Sequence, residues 1–198
     1  QAAAMRYLAF DGGGKAVGEL LTANGAKGLS TFMSYYILTA IKRAATAKNA
    51  LDIMKEYYGG MLKKGATSFW EDFDVDWTDE SGRIDELPQD GQKDIHGDYG
   101  KYCYTGFRHS LCHGWSCGPI QFLSETVLGV NVTAAGCKKI TIAPDLGGLK
   151  YASGKFPTPF GVMDIRHDLT KAGIKTKIIA PKEIEISLIG CEAEIKRV

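Results

Sequence analysis

Residues 65–71 read Gly-Ala-Thr-Ser-Phe-Trp-Glu, and the interpretation of the whole first half of the chain depends on this stretch. It follows a helical pattern that ends in two lysines, whose charges suit a helix C-terminus, and Gly65 suits the cap that ends the helix. Glu71 comes immediately after the aromatic residue Trp70. The stretch therefore predicts a helix end that delivers a carboxylate into an aromatic environment.

Glu71 lies in sequence between Trp70 and Trp77. Aromatic rings can pack on the apolar faces of sugars, and a neighbouring carboxylate can bind hydroxyls or act as an acid, a base or a nucleophile. A purely structural interpretation also fits, with Trp70 in a core and Glu71 solvated at the surface. Composition alone favours that structural interpretation, so these residues do not establish a site by themselves.

A second stretch, residues 109–119, contains His113 and Trp115 among small residues. Small side chains leave room for a ligand, and the N-terminus of the helix expected next favours electron-rich partners. The alternative is a neutral histidine that is hydrogen-bonded to backbone groups. His113 considered alone fits that alternative better.

Hydrophobic periodicity divides the chain into a helical part, residues 1–129, and a β part, residues 130–198. Apolar spacing predicts helices over residues 30–41, 49–62 and 116–128, where the recurring positions of the first are Phe32, Met33, Tyr36, Ile37, Ala40 and Ile41. Polar and apolar residues alternate in several runs after residue 130, which predicts an antiparallel sandwich. The expected fold class is therefore α+β.

Bulk properties exclude some classes of protein. The chain has 198 residues and a formal net charge of +1, which gives no electrostatic case for a nucleic acid partner. No apolar run reaches the ~18 residues of a membrane helix, so no membrane partner is expected. Because the chain begins at Gln1 without an initiator methionine, targeting cannot be read, and a cytoplasmic, periplasmic or extracellular location stays open.

Two local patterns imitate known ligand loops but depart from them. Residues 11–15 resemble a phosphate-binding loop, yet Ala16 stands where that loop needs serine or threonine. The alternating aspartates of residues 72–76 resemble the start of a calcium loop, yet Trp77 and Arg83 occupy the places that need glycine and glutamate. We therefore expect neither a phosphate loop nor a calcium loop.

The cysteines permit a weaker hypothesis of a zinc-stabilised interaction domain. Their number is odd, five, which argues against a disulfide scaffold in a chain of this size. Zinc prefers cysteine and histidine, but the spacing here matches no paired CxxC pattern. The candidate ligands within one short segment are Cys103, His109, Cys112, His113 and Cys117.

Taken together, residues 57–62, 65–71 and 111–116 resemble the C-terminal part of bacterial α-L-rhamnosidases. The resemblance implies an inverting glycoside hydrolase with an (α/α)6 barrel followed by a β-sandwich. It also implies that residues 1–129 are the last helices of such a barrel and that residues 130–198 are the sandwich. A rhamnose-containing glycoside is the implied ligand, and no cofactor or metal is implied.

The same resemblance assigns roles to individual residues. Glu71 corresponds to the general base of the family, and His113 corresponds to a histidine that contacts the sugar. Trp70, Trp77 and Trp115 are the candidates for a wall on which the sugar stacks. Asp72 is the nearest alternative carboxylate.

One part of the family pattern is missing from the sequence. Nothing before Phe69 resembles the motifs that supply the general acid and the acidic, arginine-containing sugar contacts. The general acid is therefore expected in a missing N-terminal part of the same polypeptide, and the chain alone is expected to be inactive. Incomplete helical layers would also expose apolar faces and favour self-association. The alternative function is a non-catalytic carbohydrate-binding or structural module.

Overall fold

The computed structural model describes residues 1–10, 13–100 and 108–198, and these form two compact units. The first unit, residues 1–120, is helical with long irregular segments, and the second, residues 121–198, is mostly β. The predicted α+β class is thus confirmed. Packing divides the chain at residue 120, whereas the boundary expected from the family resemblance, at residue 129, stays a prediction.

Five α-helices lie in the described part of the chain, and three of them match the helices expected from periodicity. Their bounds are α1 Ala2–Phe10, α2 Gly14–Thr22, α3 Ser34–Ala44, α4 Ala47–Lys63 and α5 Gly118–Thr126. Helix α4 begins where the hydroxyl of Thr46 accepts a hydrogen bond from the amide of Asn49, and it ends before Gly65, which has a φ of 92°. These five helices alone do not form a complete (α/α)6 barrel, so their membership of such a barrel stays a prediction.

Helices α3 and α4 are consecutive and pack against each other through their apolar stripes. Ile37 and Ile41 of α3 and Leu51 of α4 are buried, as helical spacing predicts. Phe32, which the same spacing placed in the stripe, instead precedes α3 and is 55% exposed. The helix starts two residues later than the apolar pattern, so Phe32 is free to face solvent.

The second unit contains two sheets with seven strands. The first sheet has the order β1-β2-β6 and the second the order β3-β4-β5-β7. The strands are β1 Val130–Val132, β2 Lys139–Ile142, β3 Tyr151–Thr158, β4 Gly161–Thr170, β5 Gly173–Ala180, β6 Glu185–Leu188 and β7 Cys191–Arg197. Strand β3, which contains Gly154 and Pro157, lies outside the alternating runs, and its place at the edge of the sheet explains why a proline is tolerated.

A single apolar core joins the two sheets and makes this unit a sandwich. Ile140 and Ile142 from the first sheet lie in one cluster with Met163, Ile165 and Ile178 from the second, and all are almost fully buried. The alternation of polar and apolar residues that predicted the strands produces this one-sided burial.

The predicted sandwich was described as antiparallel, and this is correct only in part. Strand β6 pairs with β2, and β7 pairs with β5, in parallel. Both strands are added at sheet edges after the chain crosses from one sheet to the other. Alternation specifies which face of a strand is buried but not the direction of its neighbour, so the sequence pattern could not reveal these two pairings.

Two glycines of the second unit allow a matched test of local packing. Gly129 and Gly136 have φ angles of 66° and 67°, but a Cβ at Gly129 would lie 2.3 Å from the nitrogen of Pro144, whereas a Cβ at Gly136 would meet nothing within 4 Å. We expect Gly136→Ala to cost about 1 kcal/mol of unfolding free energy for the left-handed backbone alone. Gly129→Ala should cost roughly 2 kcal/mol more because of the added clash.

Urea denaturation followed by far-ultraviolet circular dichroism measures both changes. Equal losses of stability in Gly129→Ala and Gly136→Ala would contradict the close approach of residues 129 and 144 seen here.

Helices α1 and α2 leave apolar side chains in contact with solvent. Phe10 is 79% exposed and Leu20 is 62% exposed, and both line a groove of about 510 Å³ between the two helices. None of the described helices is long and apolar enough to cross a membrane.

We expect the isolated chain to self-associate through this apolar groove. Light scattering coupled to size-exclusion chromatography should show a mass that rises with concentration for the wild type and stays monomeric for the double variant Phe10→Ser, Leu20→Ser. The matched control is Leu87→Ser, because Leu87 is 92% exposed but does not line the groove. A monomeric wild type at all concentrations contradicts the prediction.

Candidate functional site

The two sequence stretches that were singled out lie side by side in the first unit. The amide of Glu71 donates to the carbonyl of Ser110 at 2.8 Å, and the amide of His113 donates to the carbonyl of Phe69 at 2.8 Å. The hydroxyl of Ser68 also donates to the carbonyl of Leu111. The candidate residues Glu71, His113 and Trp115 are therefore brought together, although Glu71 lies far from the other two in sequence.

The backbone of Glu71 is held from two further directions. Its carbonyl accepts hydrogen bonds from the hydroxyl of Thr31 at 2.6 Å and from the indole Nε1 of Trp115 at 2.9 Å. With the amide bonded to Ser110, every polar group of this peptide backbone has a partner. Such fixed geometry is what a catalytic group needs, because small misplacements are costly.

The side chain of Glu71 is mostly enclosed but reaches solvent, with 13% of its surface exposed. Its Oε2 accepts a hydrogen bond of 2.7 Å from the amide of Ser110. The Nδ1 atom of His113 lies 3.9 Å from the same oxygen, and the His113 side chain is 30% exposed. A carboxylate that is held by a backbone N–H beside an accessible imidazole can exchange protons with water or a ligand hydroxyl.

Exposed aromatic rings lie next to this carboxylate. Trp115 is 42% exposed, and its ring centroid lies 4.2 Å from that of His113. Phe32 packs edge-on against Trp115 at 5.5 Å. Sequence reasoning missed Phe32 because it assigned this residue to the buried stripe of a helix. Phe32 lies two residues before Ser34, the first residue of α3, and the apolar spacing carries no signal of that start.

Trp70 and Trp77, by contrast, do not offer a face to a ligand in this chain. Trp70 is 1% exposed and lies edge-on to Phe73, and Trp77 is 8% exposed and stacks on Tyr99 at 5.0 Å. The expectation that these two tryptophans form a stacking wall is corrected on this ground. Their large apolar rings stabilise the irregular segment that follows α4 by filling its core.

The alternative carboxylate is also buried. Asp72 has no solvent exposure, and its Oδ1 accepts a hydrogen bond from the amide of Phe73. Asp74 is buried as well and accepts from the amide of Asp76 at the start of the short 3-10 helix Val75–Thr78. Asp72 and Asp74 thus cap and fold the local backbone, whereas Glu71 reaches solvent beside His113. Asp76 is exposed and pairs with Lys27 at 2.7 Å.

The patterns that imitated ligand loops are only partly visible. Cys103 of the zinc hypothesis and two residues of the phosphate-loop pattern, Asp11 and Gly12, lie outside the described residues. Within the described ranges, no group of three histidine, cysteine or acidic side chains is arranged to hold a metal ion. Cys112 and Cys117 are free thiols.

His109 fills the space between the two buried tryptophans. It is 5% exposed, and its ring centroid lies 6.3 Å from that of Trp70 and 6.2 Å from that of Trp77. Burial, reinforced by the nearby His96, holds the pKa of His109 below its usual value. Folding therefore favours the neutral imidazole.

This lowered pKa predicts a loss of stability in mild acid. As the pH falls below about 6.5, the unfolded chain takes up a proton at His109 that the folded chain does not, so the free energy of unfolding decreases. A histidine NMR titration should show His109, identified by its loss in His109→Asn, titrating below the usual range. Titration of His109 at or above pH 6.5 would contradict the prediction.

The chain was compared with known proteins in three ways. No protein-family model matches it, and no curated protein matches it. Among solved structures it is similar to the GH78 family rhamnosidase of Bacillus sp. GL1, with a TM-score of 0.71 and 26% sequence identity over 99% of this chain and 20% of that chain. The chain thus spans about a fifth of the length of that enzyme.

Two further structures share the fold at lower identity. The α-L-rhamnosidase of Aspergillus terreus has a TM-score of 0.64 and 16% identity over 89% of this chain and 19% of that one. The Streptomyces avermitilis α-L-rhamnosidase, complexed with L-rhamnose, has a TM-score of 0.62 and 18% identity over 88% of this chain and 16% of that one. The resemblance to α-L-rhamnosidases predicted from the sequence motifs is therefore confirmed in the structure.

Proposed function

We propose, on the premise of this structural likeness to α-L-rhamnosidases, that the chain is part of a glycoside hydrolase that cleaves terminal α-L-rhamnosides. The observation that carries the proposal is the fixed, partly accessible carboxylate of Glu71 beside His113 and Trp115. In this proposal Glu71 is the general base. Residues 130–198 form the β-sandwich domain that follows the catalytic domain in the same polypeptide.

The chemistry is that of an inverting glycosidase. Glu71 removes a proton from a water molecule while the water oxygen attacks the anomeric carbon. A second carboxyl group, which is protonated, donates its proton to the departing glycosidic oxygen. The two carboxyl groups stand roughly 6.5–9.5 Å apart in such enzymes, which leaves room for the water. We assign the acid to another part of the polypeptide, because Asp72, the neighbouring carboxyl, is buried.

The exposed side chains around Glu71 match the two kinds of surface that a sugar presents. The ring of Trp115 offers an apolar face to the sugar's C–H groups, and the exposed ring of Phe32 packs edge-on beside it. His113 lies close enough to the Glu71 carboxylate to hydrogen-bond a hydroxyl of the same sugar ring. A non-catalytic sugar-binding module is the second candidate, because these exposed aromatic rings would serve binding without chemistry.

Binding of L-rhamnose to the isolated chain tests the sugar site. We expect weak saturation-transfer NMR signals from L-rhamnose that disappear in Trp115→Ala. The matched control is Tyr151→Ala, which removes another exposed aromatic ring, 59% exposed, from the second unit. Signals of equal strength in Trp115→Ala and wild type would contradict the proposed site.

Catalysis distinguishes the two candidate functions. The isolated chain should not hydrolyse an aryl α-L-rhamnoside, and turnover that vanishes in Glu71→Gln would overturn the assignment of the acid to another part. In the longer polypeptide, Glu71→Gln should lower kcat by at least about a hundredfold, since general bases contribute 10²–10⁴-fold. Glu19→Gln, an exposed charge-matched control, should leave kcat unchanged.

Azide provides a positive test of the assigned role. A small anion that replaces the base and the water should restore cleavage in Glu71→Gln and yield a rhamnosyl azide of inverted configuration. Full activity of Glu71→Gln without azide would favour the binding module or a different base.

A further inference from the structure

We propose that His96 is a positioning residue that acts on Glu71 through the peptide bond between His109 and Ser110. The inference rests on the proposed role of Glu71 as the general base and adds a residue that no sequence motif includes. In this proposal the carboxylate of Glu71 is oriented from its buried side.

The contacts run through the two ends of one peptide group. The Nε2 atom of His96 lies 2.5 Å from the carbonyl oxygen of His109. The N–H of that same peptide group, which belongs to Ser110, donates to Oε2 of Glu71 at 2.7 Å. An imidazole and the carboxylate are therefore connected by a single planar, polarisable unit.

Neighbouring charges fix the tautomer of His96. The guanidinium NH1 of Arg108 lies 2.7 Å from Nδ1 of His96, and NH2 of Arg108 contacts Oδ2 of Asp94 at 2.7 Å. Arginine can only donate, so Nδ1 must accept. The proton of the neutral ring then lies on Nε2, which is the atom that faces the carbonyl of His109.

The backbone on both sides of His96 is also held. The amide of His96 donates to Oδ1 of Asp94 at 2.9 Å, and the amide of Asp94 donates to Oδ2 of Asp98 at 2.8 Å. Asp94 thus binds both the backbone of His96 and the guanidinium that orients its ring. The imidazole is placed by the fold of its own loop and not by Glu71.

A hydrogen bond accepted by a peptide carbonyl strengthens the bond that the same peptide donates through its N–H. Donation from His96 thereby makes Ser110 a better donor to Oε2 of Glu71. That bond holds the carboxylate in one orientation, with Oε1 left to take the proton of the attacking water. His96 itself touches neither the sugar nor the water in this scheme.

The amide proton of Ser110 reports this coupling without any need for activity. In the isolated 198-residue chain, its NMR signal should lie downfield in the wild type and move upfield in both Glu71→Gln and His96→Leu. Gln at position 96 can still donate an N–H, so His96→Gln should stay near the wild type. Ser68→Ala, which removes another hydrogen bond between the same two segments, should leave the signal in place.

Kinetics of the longer polypeptide provide the second measurement. A cooperative gain of 10–30% on a charge-assisted hydrogen bond corresponds to a kcat that falls by about 1.3- to fivefold in His96→Leu, with KM unchanged. His96→Gln should recover most of this loss. Arg108→Met keeps the imidazole but removes the guanidinium that fixes its tautomer, so it should also move the Ser110 amide signal upfield and lower kcat. This variant replaces His96→Leu if His96→Leu does not fold.

The inference is overturned if His96→Leu and Arg108→Met leave the Ser110 amide signal where the wild type has it, or if His96→Gln is as impaired as His96→Leu. The proposed function fails separately, if Glu71→Gln keeps full activity in the longer polypeptide. In that event the amide signal still decides whether His96 and Glu71 are coupled.

Discussion

The pairing of residues 68–71 with residues 110–113 is the constraint on which the first unit depends. Two main-chain hydrogen bonds, from Glu71 to Ser110 and from His113 to Phe69, bring together stretches that lie far apart in sequence. The rings of Trp70, Phe73 and Trp77 are almost fully buried and form a local core where the backbone of residues 70–74 is neither helix nor strand. Their burial stabilises this short segment beside the accessible carboxylate of Glu71.

Burial and accessibility divide the acidic and aromatic residues of this region into two groups. Trp70, Trp77 and Asp72 face inward and stabilise the fold, whereas Glu71 and Trp115 reach solvent. Neighbouring residues of one short segment, 70–72, thus serve both structure and a candidate site. In the second unit, successive side chains of each strand point to opposite faces, which explains the one-sided burial of the sandwich strands.

Sequence reasoning was most successful where one local rule governs a whole element. Helical spacing predicted α3, α4 and α5, and alternation predicted several sandwich strands, because each follows from burying one face. Reasoning failed where a neighbour distant in sequence decides the outcome. Strand β3 contains a proline that only an edge position tolerates, and the parallel pairings of β6 and β7 depend on crossings between sheets.

The residues of the chain alone specified an α+β protein with a helix that ends just before Glu71, and the motifs around it specified the likeness to α-L-rhamnosidases. Only the tertiary structure placed Nδ1 of His113 3.9 Å from Oε2 of Glu71. It also buried Trp70 and Trp77, which the sequence predicted as sugar-stacking residues, and exposed Phe32. Local patterns report which face of an element is apolar. Which side chains meet across the chain is set by long-range backbone hydrogen bonds, and these leave no periodic trace in the sequence.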